Sequence, residues 1–436
     1  MMNKVKVGVF GAYRGMTMIK FSAKYPEVEL TAICDKYEPA LEKCKEVMAE
    51  ECKNGSHPAL YTDFDEFIQH DMDAVVLANY ANEHAPFAIR CLKAGKHVIS
   101  EVLPVQTLAE AVQLVEAVEE SGLVYAYAEN YCYFPSTSEM RKLYREGKLG
   151  EVEYAEGEYI HDCESIWPSI TYGERDHWRN RMYATFYCTH SLGPIIHITG
   201  LRPVRVTGFE TPLTERMQKL GRRSPDGGIE MVELENGAVV KSVHGGMVRE
   251  PSAVWYSLYG NKGMAESSRW KELVEEINVY TKEKGEVITY KPAPVVDTEV
   301  SRSIATHGGG DFYTMHYFIQ KILGRPEGAE SIDIYEALDM FLPGLIAYKS
   351  VLNGGIPLPV PDFRNKEERG RCRFDTFCTD PAVAGAMLAP PYSKGEPEIP
   401  DSVYENVRKM WIEQEAEKAR KEKEEKMKGK AEAKHE

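Results

Sequence analysis

What this chain of 436 residues lacks narrows its function before any motif is considered. It has no C-x-x-C pair. Its nine cysteines stand singly at Cys34, Cys44, Cys52, Cys91, Cys132, Cys163, Cys188, Cys372 and Cys378, a spacing that fits buried free thiols better than a disulfide framework or a structural metal site. No apolar run reaches the roughly 18 residues that a membrane span needs. The opening MMNKVKVGVF enters a strand at once, without the apolar segment and cleavage site of a signal peptide, so a cytoplasmic protein is expected. An excess of basic residues is missing too: 53 Lys and Arg stand against 68 Asp and Glu, and the net charge of -15 argues against nucleic acid or anionic membrane as a main partner.

What is present reads as two folding units, since the length exceeds one core of ordinary size. Ala74–Pro104 is strand, polar loop, amphipathic helix, Gly95 stop and strand, a βαβ unit. Such a crossover puts the loop Asn79–His84 and the loop from Glu101 on one sheet edge, where open α/β sheets bind ligands. Upstream, the strand Lys4–Gly11 runs into a glycine turn, a helix spans Met16–Lys24, and the strand Leu30–Cys34 ends at Asp35, 24 positions after Gly11. That order suits a dinucleotide: the acid accepts from the adenosine ribose and repels a 2′-phosphate, which favours NAD, while Lys36 leaves NADP open. The glycine motif departs from G-x-G-x-x-G, with Tyr13 and Met16 at the second and third glycines and Gly15 one place early; Arg14 is left to donate to phosphate. A helix capped by Thr107 and a last strand Val124–Ala128, ending in Glu129-Asn130-Tyr131-Cys132-Tyr133, complete a Rossmann domain over residues 1–133. Its expected cofactor contacts are Gly11, Tyr13, Arg14, Gly15, Asp35, Asn79, Asn82, His84, Glu101 and Asn130.

The segment N-x-x-H before A-P-F-A-I-x-C-L-x-A-G-K-H-V-I-S-E resembles the Gfo/Idh/MocA family of nicotinamide-dependent sugar oxidoreductases. There the strand after GKHV usually ends in Glu-Lys-Pro, with the lysine beside the nicotinamide. This chain has Glu101-Val102-Leu103-Pro104, so that lysine is not carried over. The run Cys188-Thr189-His190-Ser191-Leu192-Gly193-Pro194 and the run His307-Gly308-Gly309-Gly310-Asp311 resemble the glycoside hydrolase family 109 branch, whose members use NAD to hydrolyse glycosides without net oxidation.

From Glu151 the pattern alternates as strands do, with a hairpin turn at Glu235-Asn236-Gly237 and few helical crossovers, so residues 134–362 are expected to form an α+β domain with a largely antiparallel or mixed open-faced sheet. In the resembled family this is the substrate domain, and its open face makes homo-dimers or homo-tetramers. Residues 363–402 read as an extended C-terminal segment and 403–436 as a charged helical or disordered tail. His190, inside the matched segment, is the first catalytic candidate. Tyr133, at the end of the last Rossmann strand, is the second. Arg179 and Arg181 could clamp hydroxyls or an anionic substituent of a sugar or glycoside, with His307 and Asp311 as further substrate contacts, although the place of Asp311 before Phe312 also suits a helix cap. His161-Asp162-Cys163-Glu164 has a metal-like composition, but alternate residues of one strand face opposite ways, so no metal is expected. Three functions remain open: a sugar dehydrogenase, a redox-neutral glycosidase that also needs a base for the C2 proton, and a nucleotide-bound regulator without turnover.

Overall fold

The computed structural model describes residues 4–270 and 275–432 and builds them around two sheets. The first sheet uses short strands buried on both faces, the pattern of a sheet covered by helices on both sides. Strands β1 (Val5–Phe10), β2 (Val28–Cys34), β3 (Ala59–Tyr61), β4 (Ala74–Leu77), β5 (His97–Ser100) and β6 (Tyr125–Tyr127) lie in the order β3-β2-β1-β4-β5-β6. Every neighbouring pair is parallel. Helices α1 (Met16–Lys24), α2 (Glu38–Glu51), α3 (Phe64–Phe67), α4 (His84–Lys93) and α5 (Leu108–Ser121) connect them. The order reverses between β1 and β4, which opens a crevice at the strand ends. Helix α5 starts where the sequence predicts: Thr107 Oγ1 accepts from the Glu110 amide at 3.0 Å, and Gly122 ends the helix at φ 63°.

After α6 (Pro135–Arg145) comes the second sheet, of β7 (Val152–Ile160), β8 (Pro203–Glu210), β9 (Gly227–Leu234), β10 (Val239–Gly245), β11 (Ala253–Gly260), β12 (Gly263–Ser267), β13 (Ile277–Thr281), β14 (Val287–Tyr290) and β15 (Leu358–Pro359). Its order is β14-β13-β12-β11-β7-β10-β9-β8-β15, antiparallel throughout except for the β10–β7 pair. The sheet is therefore mixed and largely antiparallel, as the alternating pattern predicts. Helices α7 (Trp167–Thr171), α8 (Thr189–Thr199), α9 (Glu215–Gln218), α10 (Glu299–Ser303), α11 (Gly310–Ile322), α12 (Ile334–Leu352), α13 (Lys366–Arg371) and α14 (Pro381–Ala384) follow in and around it, and α15 (Asp401–Glu432) ends the described chain. α8 and α12 cover one face of this sheet, and one continuous apolar core runs through both sheets. Among the described residues no helix is long and apolar enough to cross a membrane.

The segment after β15 is tied to the Rossmann half by Arg369, whose guanidinium donates to both carboxylate oxygens of Glu119 at 2.8 Å. The Arg369 bonds hold the Glu119 carboxyl down at about 2, below its ordinary 4.5. The tie is therefore complete above about pH 4.5 and is lost as pH falls towards 2, a contribution on the order of 1 kcal/mol for a partly exposed pair. Arg369→Ala is expected to flatten the acid-side fall in melting temperature; equal slopes in variant and parent would contradict it.

Candidate active site

The crevice begins at the turn after β1. Gly11 has φ 98°, and a Cβ there would lie 2.3 Å from the Ala78 backbone, so only glycine lets this turn touch the end of β4. Gly15 begins α1 without a side-chain cap and no acid stands in the first turn, which leaves that helix start open to an anion. Asp35 accepts from the Ala12 amide at 2.8 Å and the Tyr37 amide at 2.9 Å, so it braces the turn as well as ending β2. Lys36 lies over the Tyr80 ring at 5.1 Å. Among the described residues the buried side-chain oxygens of Asn79, Asn82 and Asn130 have no hydrogen-bond partner, each a cost of roughly 1–3 kcal/mol that a ligand could offset. These features fit a dinucleotide lying along the strand ends.

Other expected cofactor residues are also held by the protein, His84, Asn82 and Glu101 among them. His84 is buried, with Nδ1 2.8 Å from the Leu103 carbonyl and Nε2 3.3 Å from that of Asn79, and burial pulls it down to about 4. It therefore stays neutral with one N–H, which the shorter contact assigns to Nδ1 and the Leu103 carbonyl, while Nε2 only packs against the Asn79 carbonyl. Asn82 donates to Asp380 at 3.4 Å. Glu101 receives Arg14 at 3.2 Å; burial raises its carboxyl above the ordinary range against the pull of Arg14.

The other half of the site comes from α8. Pro194 lies inside that helix and has no N–H for the His190 carbonyl four residues earlier; the Tyr256 hydroxyl donates there instead, at 2.5 Å. Ser191 Oγ pairs with Ser242 Oγ at 2.7 Å, Ser242 donates to the buried Glu230, and His244 meets the same carboxylate at 2.8 Å. The start of α8 is thus fixed from below. On the crevice side, His190 Nδ1 lies 2.9 Å from Glu129 Oε1, and Thr189 Oγ1 donates to Oε2 at 2.8 Å. Nδ1 donates to the carboxylate, which leaves Nε2 as the ring nitrogen available to a ligand. The His190 ring is lined by Tyr131 and Tyr159 at 4.7 Å and by Tyr187 at 5.7 Å.

A second arrangement of the same kind stands across Tyr131. His307, at φ 48°, places Nδ1 2.8 Å from Asp311 Oδ2, and its ring is 6.2 Å from that of Tyr131. Asp311 also accepts from Thr306 at 2.7 Å and from Asn130 at 2.7 Å. Burial pushes the Asp311 carboxyl up, but the His307 bond and charge outweigh it, and the net shift is downward. Asp311 therefore does not cap a helix as its position suggests: α11 starts at Gly310 with Gly309 before it, and the carboxylate is spent on His307 and Asn130.

Two other expectations meet a different geometry. Tyr133 donates to the Glu330 carbonyl at 2.8 Å and packs against His197 and Tyr317; residues 130–133 form a 3-10 turn that sends Tyr131, not Tyr133, towards His190. Arg181 donates to the Thr379 carbonyl at 2.9 Å and pairs with Glu396, so it anchors the C-terminal segment. Arg179 is nearer the site, reaching the Tyr187 hydroxyl at 3.3 Å. His161 lies beside Cys163 while Asp162 turns to Arg216. Sequence reading assigned nothing to Glu129, Tyr131, Tyr159 or Tyr187. Glu129 was within reach, since it ends β6 on the edge that singled out Asn130, and Tyr187 stands one helical turn before His190.

The family model described as an oxidoreductase family with an NAD-binding Rossmann fold, Gfo/Idh/MocA, matches residues 5–129. The Rossmann half is similar to the Gfo/Idh/MocA oxidoreductases. Beyond this domain, the chain is 26% identical over 387 residues to a glycosyl hydrolase family 109 protein of Saccharopolyspora erythraea, covering 82% of this chain and 83% of the relative. It is 25% identical over 390 residues to an alpha-N-acetylgalactosaminidase of Bacteroides fragilis, covering 80% and 89%. Among solved structures, a levoglucosan dehydrogenase in complex with NADH and levoglucosan superposes with a TM-score of 0.67 at 17% identity, over 82% of this chain and all of that one (100%), and so shares its fold. An NAD-binding oxidoreductase domain thus carries the crevice, and the second domain supplies His190 and His307.

Proposed function

We propose that this protein cleaves glycosides by an NAD-dependent route without net oxidation, with the sugar held between His190 and His307. The observation that carries the reading is the pair of imidazoles flanking Tyr131, each held through Nδ1 by its own carboxylate, with no hydrogen-bond partner at Nε2 among the described residues. A dehydrogenase needs one base for a hydroxyl proton; elimination next to a ketone needs a second base for the neighbouring carbon. The names of the family 109 relatives support the same reading.

Bound NAD supplies the reversible oxidation of one sugar carbon. His190 Nε2 takes the proton of the hydroxyl on that carbon, and the buried Glu129 stabilises the imidazolium that results. The ketone acidifies the adjacent C–H, whose proton passes to His307 Nε2 as the bond to the departing group breaks. Tyr131 is kept protonated by burial and by the charge of Glu129, so it serves as a hydrogen-bond donor and not as a base. Water then adds, its hydroxide to the sugar carbon and its proton to the departed group, and His307 returns its proton to the neighbouring carbon. His190 returns its own to the hydroxyl as the reversible oxidation runs backwards. Gly11, Gly15 and Arg14 would hold the pyrophosphate, and Asp35 the adenosine ribose, which favours NAD over NADP. The protein would work in the cytoplasm as a homo-dimer or homo-tetramer joined through the outward face of the second sheet, where Phe209, Met231 and Tyr259 are exposed.

The test is turnover of aryl glycosides in heavy water with a trace of NAD. Aglycone release far in excess of the NAD present, with deuterium entering the carbon next to the oxidised one, is expected. Stoichiometric accumulation of reduced cofactor and intact glycoside linkages would instead establish a net dehydrogenase.

A further inference from the structure

The charged C-terminal run does not stand free in solvent. Along α15, Tyr404, Val407, Trp411, Gln414, Lys418 and Glu422 recur every three or four residues, and these six fall on one helical face. The first half of that face is seated on the second domain. Val407 packs with Trp167, Met217 and Leu220, and the Tyr404 hydroxyl reaches the Gly221 carbonyl at 3.1 Å. Gln414 donates to the Ser165 carbonyl at 3.0 Å. Gly173 makes the close approach possible: at φ 64°, its Cβ would lie 2.4 Å from the Arg408 nitrogen. The second half lands on the Rossmann domain, where Lys418 stands over the Tyr13 ring at 5.6 Å and Glu422 meets Lys43 of α2 at 3.2 Å.

Between the two landings the helix passes the crevice beside the end of β2. Trp411 meets Tyr172 edge to face at 5.2 Å, and Tyr172 is within electrostatic reach of both Tyr13 and Asp35. Tyr13 occupies the turn that would carry a pyrophosphate, and Asp35 ends the strand that would carry the adenosine. A helix that bridges two domains at this place brings aromatic faces and a cation, the chemistry that recognises a purine and a phosphate.

We propose that α15 covers the adenosine end of the cofactor, with Trp411 and Lys418 holding Tyr172 and Tyr13 over it, so that NAD stays bound from one turnover to the next. This rests on the cofactor reading above, and it suits a cycle in which the reduced cofactor must wait for its own ketone.

The full chain is loaded with labelled NAD, and release is followed after a chase with unlabelled NAD. Two variants are compared with it: Trp411→Ala combined with Lys418→Ala, and a chain ended after Met410, which keeps Tyr404 and Val407 in their seats. Release about tenfold faster or more in both is expected, since affinity changes of related complexes fall mainly on the off-rate. Equal release from all three would overturn the cover while leaving the cofactor reading intact, because a helix that only staples two domains predicts that result. A parent chain that takes up no NAD would overturn both.

Discussion

His190→Ala is expected to lower kcat for glycoside cleavage by about 10²–10⁴-fold, the usual worth of a positioned proton acceptor. NAD affinity should hold, because the imidazole acts on the hydroxyl of the sugar and the turn at Gly11 is built from other elements. Glu129→Gln tests the same group from behind. The amide oxygen can still accept from Nδ1, so the ring keeps its orientation, but the negative charge that favours the imidazolium is gone. A smaller loss than that of the alanine variant is expected, with kcat falling and KM nearly unchanged. If His190→Ala turned over at the parental rate, His190 Nε2 would not be the base.

The sequence already pointed to the edge on which this chemistry stands, because strand, turn and helix follow local rules: a glycine at positive φ, an acid ending a strand, apolar residues in short runs. What it could not show depends on contacts between distant segments. Glu129 and His190 lie 61 positions apart and meet only because α8 packs on the second sheet and faces the end of β6. Tyr131 and Tyr133 look equivalent until a 3-10 turn, and not a continued strand, separates their directions. Strand β14 (Val287–Tyr290) lies at the edge of its sheet and is only half covered, a place that its pairing with β13 reveals. The C-terminal run is a helix, one of the two forms expected of it, and its packed face begins with Tyr404, Val407 and Trp411, just where the composition turns to Lys and Glu. A helix whose partner surface is supplied by two other domains shows no broad apolar face of its own.

The precision of the site rests on a glycine outside it. At Gly157 in β7 a Cβ would lie 1.7 Å from the Ser191 carbonyl oxygen, so the strand and the first turn of α8 touch backbone to backbone. Gly157→Ala must push the two apart, and the atoms it displaces first are those next to His190. Overpacking of this kind costs about 1–3 kcal/mol, so the variant should fold with a lowered melting temperature. The larger effect should be on rate. Moving an imidazole by about 1 Å relative to a bound sugar is enough to cost roughly 10²-fold. The Ser191–Ser242 bond at 2.7 Å and the Tyr256 bond to the His190 carbonyl would both stretch, and the backbone that carries His190 would move with them. We therefore expect Gly157→Ala to lose far more kcat than stability, with NAD binding close to that of the parent. A variant that melts early yet keeps its parental kcat would show that α8 tolerates the displacement and that the geometry of His190 is not set from beneath.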